Sequence, residues 1–113
     1  MLSAAYRMRR SSDFAAVVRS GSRARRGCLV VHQRKELTVG VPLVGLVVGR
    51  SVGGSVVRHR VSRRLRAQLA QRVDALEAGS GLVVRALPDA ALADSGTLGR
   101  DLDAALSRLA GAR

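Results

Sequence analysis

Between Arg50 and Arg72 the chain carries seven arginines (Arg50, Arg58, Arg60, Arg63, Arg64, Arg66 and Arg72) and no acid. A guanidinium is planar, permanently charged and able to bond a phosphate through two parallel N–H donors. The chemistry offered is therefore binding of a polyanion. From Val57 the same stretch carries Val57, Val61, Leu65, Leu69, Val73 and Leu76, the spacing of one buried helix face. The arginines ride on a helix, not a loose tail. Seven arginines without an acid forgo the usual i,i+4 ion pairs, an arrangement that suits a surface neutralised by nucleic acid. Just before the helix, Gly53-Gly54 offers a phosphate loop at a helix N-terminus, flanked by Arg50 and Arg58. The Lys-Ser/Thr that completes a mononucleotide loop is absent.

The remaining inventory is poor in catalytic groups. His32 reads as a partly exposed strand residue and His59 lies among the arginines. No spacing supplies converging metal ligands, so no metal site is expected on the chain. Cys28 sits in an apolar run and reads as a buried, inert thiol. The acids fall late and read as a solvated face, with no carboxylate pair suited to acid–base work. No catalytic residue is assigned.

Charge is divided along the chain. Residues 1–72 hold sixteen Lys and Arg against two acids, a net +14; residues 73–113 hold four Arg against six acids, a net −2. Nineteen of the 20 basic residues are Arg. An excess of that size points to an anionic partner met over a broad surface. One domain and one modest core fit 113 residues. No apolar run reaches the ~18 residues of a membrane span, the first residues lack the apolar centre of a signal peptide, and a single cysteine fits a reducing compartment. A cytoplasmic setting, with no membrane and no small-molecule cofactor, is expected.

The elements that must position these groups are legible from pattern. Residues 1–10 read as a flexible basic arm and 11–110 as a single RNA-binding α/β domain. A short helix spans Asp13–Ser20, capped by Ser11 or Ser12 and stopped at Gly21. Residues 22–26, SRARR, read as a basic loop. Cys28–His32 is a strand, Leu37–Val41 an optional short one limited by Pro42, and Leu43–Val48 a second strong strand, with Gly45 marking a bulge or a close approach. The arginine helix runs from Val56 to Ala78 behind an N-cap at Ser55. Gly81–Leu87 is a further strand, and Thr97–Leu109 an amphipathic last helix.

The run Val44-Gly45-Leu46-Val47-Val48, then Arg50, then Val52-Gly53-Gly54-Ser55-Val56-Val57-Arg58-His59-Arg60-Val61-Ser62-Arg63-Arg64-Leu65-Arg66 closely resembles the signature of the bacterial ribonuclease P protein component. That pattern reads roughly V-G-x-x-V-x-K-K-x-G-N-A-V-x-R-N-R-x-K-R-x-x-R. Arg9-Arg10-Ser11-Ser12-Asp13-Phe14, Gly21 and Leu82-Val83-Val84-Arg85-Ala86 resemble it as well. His59 stands where the family has Asn, Gly54 where it has Asn, and Ser51 and Ser62 where it has Lys.

The resemblance implies an α+β fold, a single-domain α-β-β-β-α-β-α sandwich with helices packed on a small mixed sheet and a left-handed βαβ crossover. It implies the protein subunit of a ribonucleoprotein whose RNA, with Mg2+ bound mainly by that RNA, removes the 5′ leader from precursor tRNA. Arg58, His59, Arg60, Arg63, Arg64 and Arg66 would then bind the catalytic RNA. Phe14, Val18, His32 and Arg50 would hold the leader, and Gly53 and Gly54 would form the phosphate loop. Val18 and His32 stand where the family often has aromatics, which leaves Phe14 and His32 for base stacking. The rival readings are a non-enzymatic, ribosomal-protein-like RNA binder, a helix-turn-helix DNA binder and a protein nuclease. The second lacks a recognition helix after a tight turn, and the third lacks a catalytic constellation.

Overall fold

The computed structural model describes residues 2–111. Three α-helices, α1 (Ser11–Ser20), α2 (Ser55–Ala70) and α3 (Ser95–Ala110), accompany four strands, β1 (Ser22–Arg26), β2 (Leu29–Arg34), β3 (Leu43–Val47) and β4 (Gly81–Ala86). Short 3-10 turns occupy Ala4–Tyr6, Val73–Ala75 and Pro88–Leu92. The sheet order is β1-β2-β4-β3. β1, β2 and β4 pair antiparallel, and β3 lies parallel to β4. The α-β-β-β-α-β-α order is the expected one.

Alternation along the strands divides the sheet into two faces. One carries Ala24, Leu29, Val31, Val44, Leu82, Val84 and Ala86, which join Val61, Leu65 and Leu69 of α2 and Leu98, Leu102, Ala105 and Leu109 of α3 in the main core. The other is covered by α1 alone, through a small cluster of Met8, Val17 and Val83 with Phe14, Leu37 and Leu43 packed against it. Helix α1 packs on β2 and β4, and Arg23, Arg25, Arg85 and Val47 on the same face stay exposed.

The hand of the β3–α2–β4 crossover follows from Val44. Its side chain lies in the core with α2, while its carbonyl accepts from the Met8 N–H at 2.8 Å, on the edge of β3 away from β4. In a rising strand of L-residues, one whose side chain faces the viewer turns its N–H and C=O to the right. Seen from the α2 side, β4 therefore lies left of β3. The crossover is left-handed, against the usual rule for such units.

Several local expectations are corrected. SRARR is a strand, not a loop: Ala24 is buried against α3 and pairs with Val31, and the flanking arginines protect an exposed sheet edge from further pairing. The optional strand Leu37–Val41 does not form. The N–H groups of Leu37 and Thr38 both donate to the Gly79 carbonyl, which wraps this segment around a glycine at φ +76°. Residues 2–8 are not a free arm, because Leu2 and Met8 are buried and Arg7 bridges to Val44; Met1 lies outside the described residues. Helix α2 begins at Ser55, with Gly54 as its cap, and ends at Ala70. There the Arg72 guanidinium takes the Gln68 carbonyl at 2.8 Å, and Val73 and Leu76 continue the apolar stripe on a 3-10 turn. Gly21 does end α1, but at φ −84°. A Cβ there would stand 2.5 Å from the carbonyl oxygens of Val17 and Gln33, so close approach, not a left-handed turn, requires glycine.

Gly45 marks a close approach as well, since a Cβ there would overlap the Phe14 ring. Gly45→Ala should destabilise the fold by about 1–3 kcal/mol through overpacking. Phe14→Leu in the same chain should recover part of that loss. Thermal melting of the two variants checks this; equal melting points for Gly45→Ala and the parent protein would contradict it.

Candidate nucleic-acid interface

The polar surface of α2 splits into two sides with different partners. Arg60 and Arg64, one turn apart, face the Pro88–Leu92 turn. Arg60 donates to the Ala91 carbonyl at 3.0 Å and Arg64 to the Ala93 carbonyl at 2.8 Å. Arg72 continues this row onto α3, paired with Asp103 at 2.6 Å and bonded to the Gly99 carbonyl. The other side carries His59, Arg63 and Arg66, while Arg58 shares the azimuth of the buried stripe in the first turn of the helix. His59 and Arg63 are exposed, Arg58 and Arg66 half-buried, and the Arg58 Nε is buried with no partner among the described residues. The six residues expected to act together are thus divided: His59, Arg63 and Arg66 point outward, Arg58 stands at the first turn above the buried stripe, and Arg60 and Arg64 spend a donor each on the protein itself. Guanidinium carries five N–H donors, so both keep capacity for a second partner.

Three of the late acids are bonded to the protein itself. Asp94 caps α3 by accepting from the Thr97 N–H at 2.8 Å, which holds its carboxyl below the usual range. Asp103 is lowered by Arg72. Asp101 accepts from the Cys28 N–H at 3.0 Å and its thiol at 3.1 Å. Burial first, then the Asp101 carboxylate, pushes that thiol up to about 12, so it is inert as a nucleophile. None of these carboxylates neutralises the outer side of α2.

At the start of α2, Gly54 provides no side-chain cap, which leaves the first-turn N–H groups pointing outward. A Cβ on Gly53 would stand 2.9 Å from Val57, so glycine lets the loop approach the helix. A groove of about 450 Å³ lies beside it, lined by Ser55, Val56, His59, Arg60 and Arg63. Arg50 is exposed in the turn that follows β3.

The open part of the second sheet face forms a trough beside α1. Strand register places Arg23, His32, Val83 and Gly45 in one row, and Arg25, Val30, Arg85 and Val47 in the next. Phe14 lies over Gly45 and is half-buried; Val18 is 47% exposed. His32 is only 6% exposed, not partly exposed as its sequence context suggests, and its Nδ1 has no partner among the described residues. Burial, with Arg23 and Arg85 nearby, lowers its pKa, so the imidazole is neutral at pH 7. Phe14 and His32 share this face, Val18 is exposed on α1 outside the cluster beneath it, and Arg50 follows the end of β3. Arg23, Arg25 and Arg85 were missed. The signal was present: in SRARR and LVVRA the arginines alternate with small or apolar residues, the period of a strand.

No three His, Cys, Asp or Glu side chains converge as metal ligands among the described residues.

A left-handed βαβ unit, an arginine-faced central helix and a basic trough beside the first helix define a small α+β protein with two cationic surfaces. The sequence pattern of the family described as Ribonuclease P matches residues 2–110, and the chain belongs to that family. It is 50% identical to the ribonuclease P protein component of Streptomyces bikiniensis over 98% of this chain and 97% of that one. The component from Mycobacterium sp. (strain KMS) is also 50% identical, over 96% and 92%. Among solved structures, the RNase P protein of Staphylococcus aureus superposes with a TM-score of 0.82 at 19% identity, covering 91% of this chain and 94% of that one. That of Thermotoga maritima gives 0.76 at 22%, covering 95% and 97%.

The lowered His32 pKa carries a pH dependence. The folded state favours neutral imidazole, so its contribution is fully present above the ordinary pKa of 6.5 and is lost as pH falls through the lowered one. Melting temperature should fall on acidification below pH 6.5, and less steeply in His32→Gln. Parallel pH profiles for the two proteins would show that His32 is not the group responsible.

Proposed function

We propose that this chain is the protein subunit of a ribonuclease P ribonucleoprotein and that it binds the catalytic RNA through the outer side of α2. Family membership supports a subunit role in tRNA processing. The observation that carries the RNA contact is the unneutralised set Arg58, His59, Arg63 and Arg66, continuous with the open helix N-terminus at Gly53-Gly54. Each guanidinium that meets a phosphate releases condensed counterions, which makes the association salt-dependent. Arg60 and Arg64 act mainly by fixing the Pro88–Leu92 turn against α2.

In this reading the trough holds the single-stranded 5′ leader of precursor tRNA. Arg23, Arg25 and Arg85 take its phosphates over a floor of Val30 and Val47. Phe14 and Val18 form one wall, and Arg50 links the trough to the start of α2. Bond cleavage belongs to the RNA, together with the Mg2+ that the RNA holds; this chain contributes binding and orientation. Among the described residues no helix is long and apolar enough to cross a membrane, and a cytoplasmic location fits the proposed substrate.

Reconstitution tests the reading. The chain with its cognate ribonuclease P RNA should cleave precursor tRNA at a magnesium concentration where the RNA alone is slow, and RNA-free protein should cleave nothing. Lack of stimulation, or cleavage by the purified protein alone, would overturn it.

Two variants separate the sides of α2. Arg63→Ala should reduce the slope of log K against log salt for RNA binding by about 1 and leave melting unchanged. Arg64→Ala should instead cost about 1 kcal/mol of stability by removing its carbonyl bond. The reverse pattern would exchange their roles.

Arg25→Ala and Arg85→Ala should weaken holoenzyme binding of precursor more than of mature tRNA, and lower the leader-dependent salt slope by about 0.7 per arginine. Equal losses for both ligands would remove the trough from leader binding. Phe14→Ala is the poorer probe, because Phe14 also packs against Gly45 and the small cluster beneath α1.

A further inference from the structure

We infer that Asp101 is a positioning residue for leader binding: from α3, on the core face of the sheet, it fixes the β1–β2 turn and through that turn aims Arg25 into the trough. This rests on the reading of the trough as the seat of the leader, and adds to it a residue that touches no RNA.

Strand β1 lies at the edge of the sheet and pairs with β2 alone. Their ladder closes at Arg26 and Leu29, joined by the two-residue turn Gly27-Cys28. Gly27 holds φ +55°, the left-handed conformation such a turn needs at its first position. A turn this tight gives the N–H of its second residue no partner within the hairpin. That residue is Cys28, which is buried, so an unmade bond there is costly. Asp101 supplies the acceptor. Its carboxylate takes the Cys28 N–H at 3.0 Å and the thiol at 3.1 Å. The same carboxylate lies against Gly27, so closely that a Cβ there would overlap it. On the other side, the Cys28 carbonyl accepts from the Leu87 N–H at 2.8 Å, which ties the turn to the end of β4.

The chain has 20 Lys and Arg against eight acids, so an acid has many cations to choose from. Among the described residues Asp101 pairs with none of them; its bonds go to Cys28. Ala24, buried beneath α3, anchors the middle of β1, and Asp101 anchors its end. Arg25 stands between these two anchors, opposite Val30 in the register, on the trough face. With the turn released, the end of an edge strand frays and the guanidinium loses its fixed position. Phosphate contacts set the path of a strand, so the loss falls on the leader. Bulk electrostatics predicts the opposite sign: removing an acid raises the net charge and tightens every RNA contact.

The test uses holoenzyme assembled from the full chain and its cognate ribonuclease P RNA, with binding of precursor tRNA carrying a several-nucleotide leader compared with binding of mature tRNA. Asp101→Ala should weaken precursor binding about fivefold and leave mature tRNA unchanged. Asp101→Asn, which keeps an oxygen to accept the Cys28 N–H, should recover most of the loss. Cys28→Ala, which keeps the N–H itself, should bind as the parent does. Amide exchange of the free chain supplies a second readout: it should quicken at Cys28 and along β1 in Asp101→Ala, and stay unchanged in α2. Unchanged or tighter precursor binding by Asp101→Ala would overturn the inference. Equal losses for both ligands would overturn it too, since the role would then be general stability. If Asp101→Ala melts below the assay temperature, Asp101→Glu, which keeps the charge but pushes the carboxylate one methylene too far, is read by the same criteria. A parent holoenzyme that binds precursor no better than mature tRNA would remove the trough reading and this role with it. If Arg25→Ala loses the leader preference and Asp101→Ala keeps it, the positioning role alone falls.

Discussion

Burial of Val61, Leu65 and Leu69 beneath α2 holds the arginine helix in place against its own charge. All three are fully buried. At ~1.5–3 kcal/mol each, they supply several kcal/mol. Like charges one turn apart on the same helix, such as Arg60 with Arg64 and Arg63 with Arg66, oppose this by only ~0.2–0.5 kcal/mol per pair. The stripe therefore wins comfortably, and the helix forms without an RNA to neutralise it. The carbonyl bonds of Arg60 and Arg64 and the Asp103 partner of Arg72 ease the repulsion further on the side that faces α3. What remains uncompensated is the outer side.

The left-handed crossover decides where that outer side lies. Helix α2 starts where β3 ends and runs back across the core face, so its N-terminus stands at the carboxyl ends of the two parallel strands. Arg50 and Gly53-Gly54 occupy that end, and Val47 and Arg85, paired across β3 and β4, lie at the same end on the opposite face. On the proposed reading a strand in the trough leaves it close to the first turn of α2. One chain can then grip a substrate and an RNA partner at neighbouring places without moving either.

Much of this was legible in the sequence wherever one periodicity ruled a long stretch. The Val57–Leu76 stripe, the Leu98–Leu109 series and the apolar strands at Leu29, Leu43 and Gly81 are unambiguous because burial dictates them. The failures share a physical cause: the deciding partner was distant in sequence. Ala24 makes SRARR a strand only because α3 and Val31 receive it. Leu2 and Met8 dock only because β3 offers an edge. Helix α2 stops short because Arg72 takes the Gln68 carbonyl while holding Asp103. For the candidate site, the arginine motif was visible as a group, but its division into outward and inward sides was not, since the carbonyls that take Arg60 and Arg64 belong to a turn near residue 92. Arg23 and Arg25 were hidden by the misreading of β1 as a loop, and Arg85 by a pairing with Val30 that only the folded sheet brings about.

On the proposed reading, the trough also bears on what would take the place of aromatic stacking on this chain. A base stacked on an aromatic gains ~1–3 kcal/mol in a manner that salt scarcely touches. Here Phe14 is half-buried over Gly45 and His32 is almost wholly buried, so neither offers a full ring face. The groups that do reach solvent are Arg23, Arg25 and Arg85. Guanidinium contacts to a phosphate backbone position a strand but read no sequence. On that reading, a leader held this way would be gripped by its charge and path, in a salt-sensitive manner, with the cleavage position left to the RNA partner. On the same reading, Val18 and His32 in place of aromatics would shift the grip from base faces to backbone, with the arginine-faced edge strand β1 supplying the charge for it.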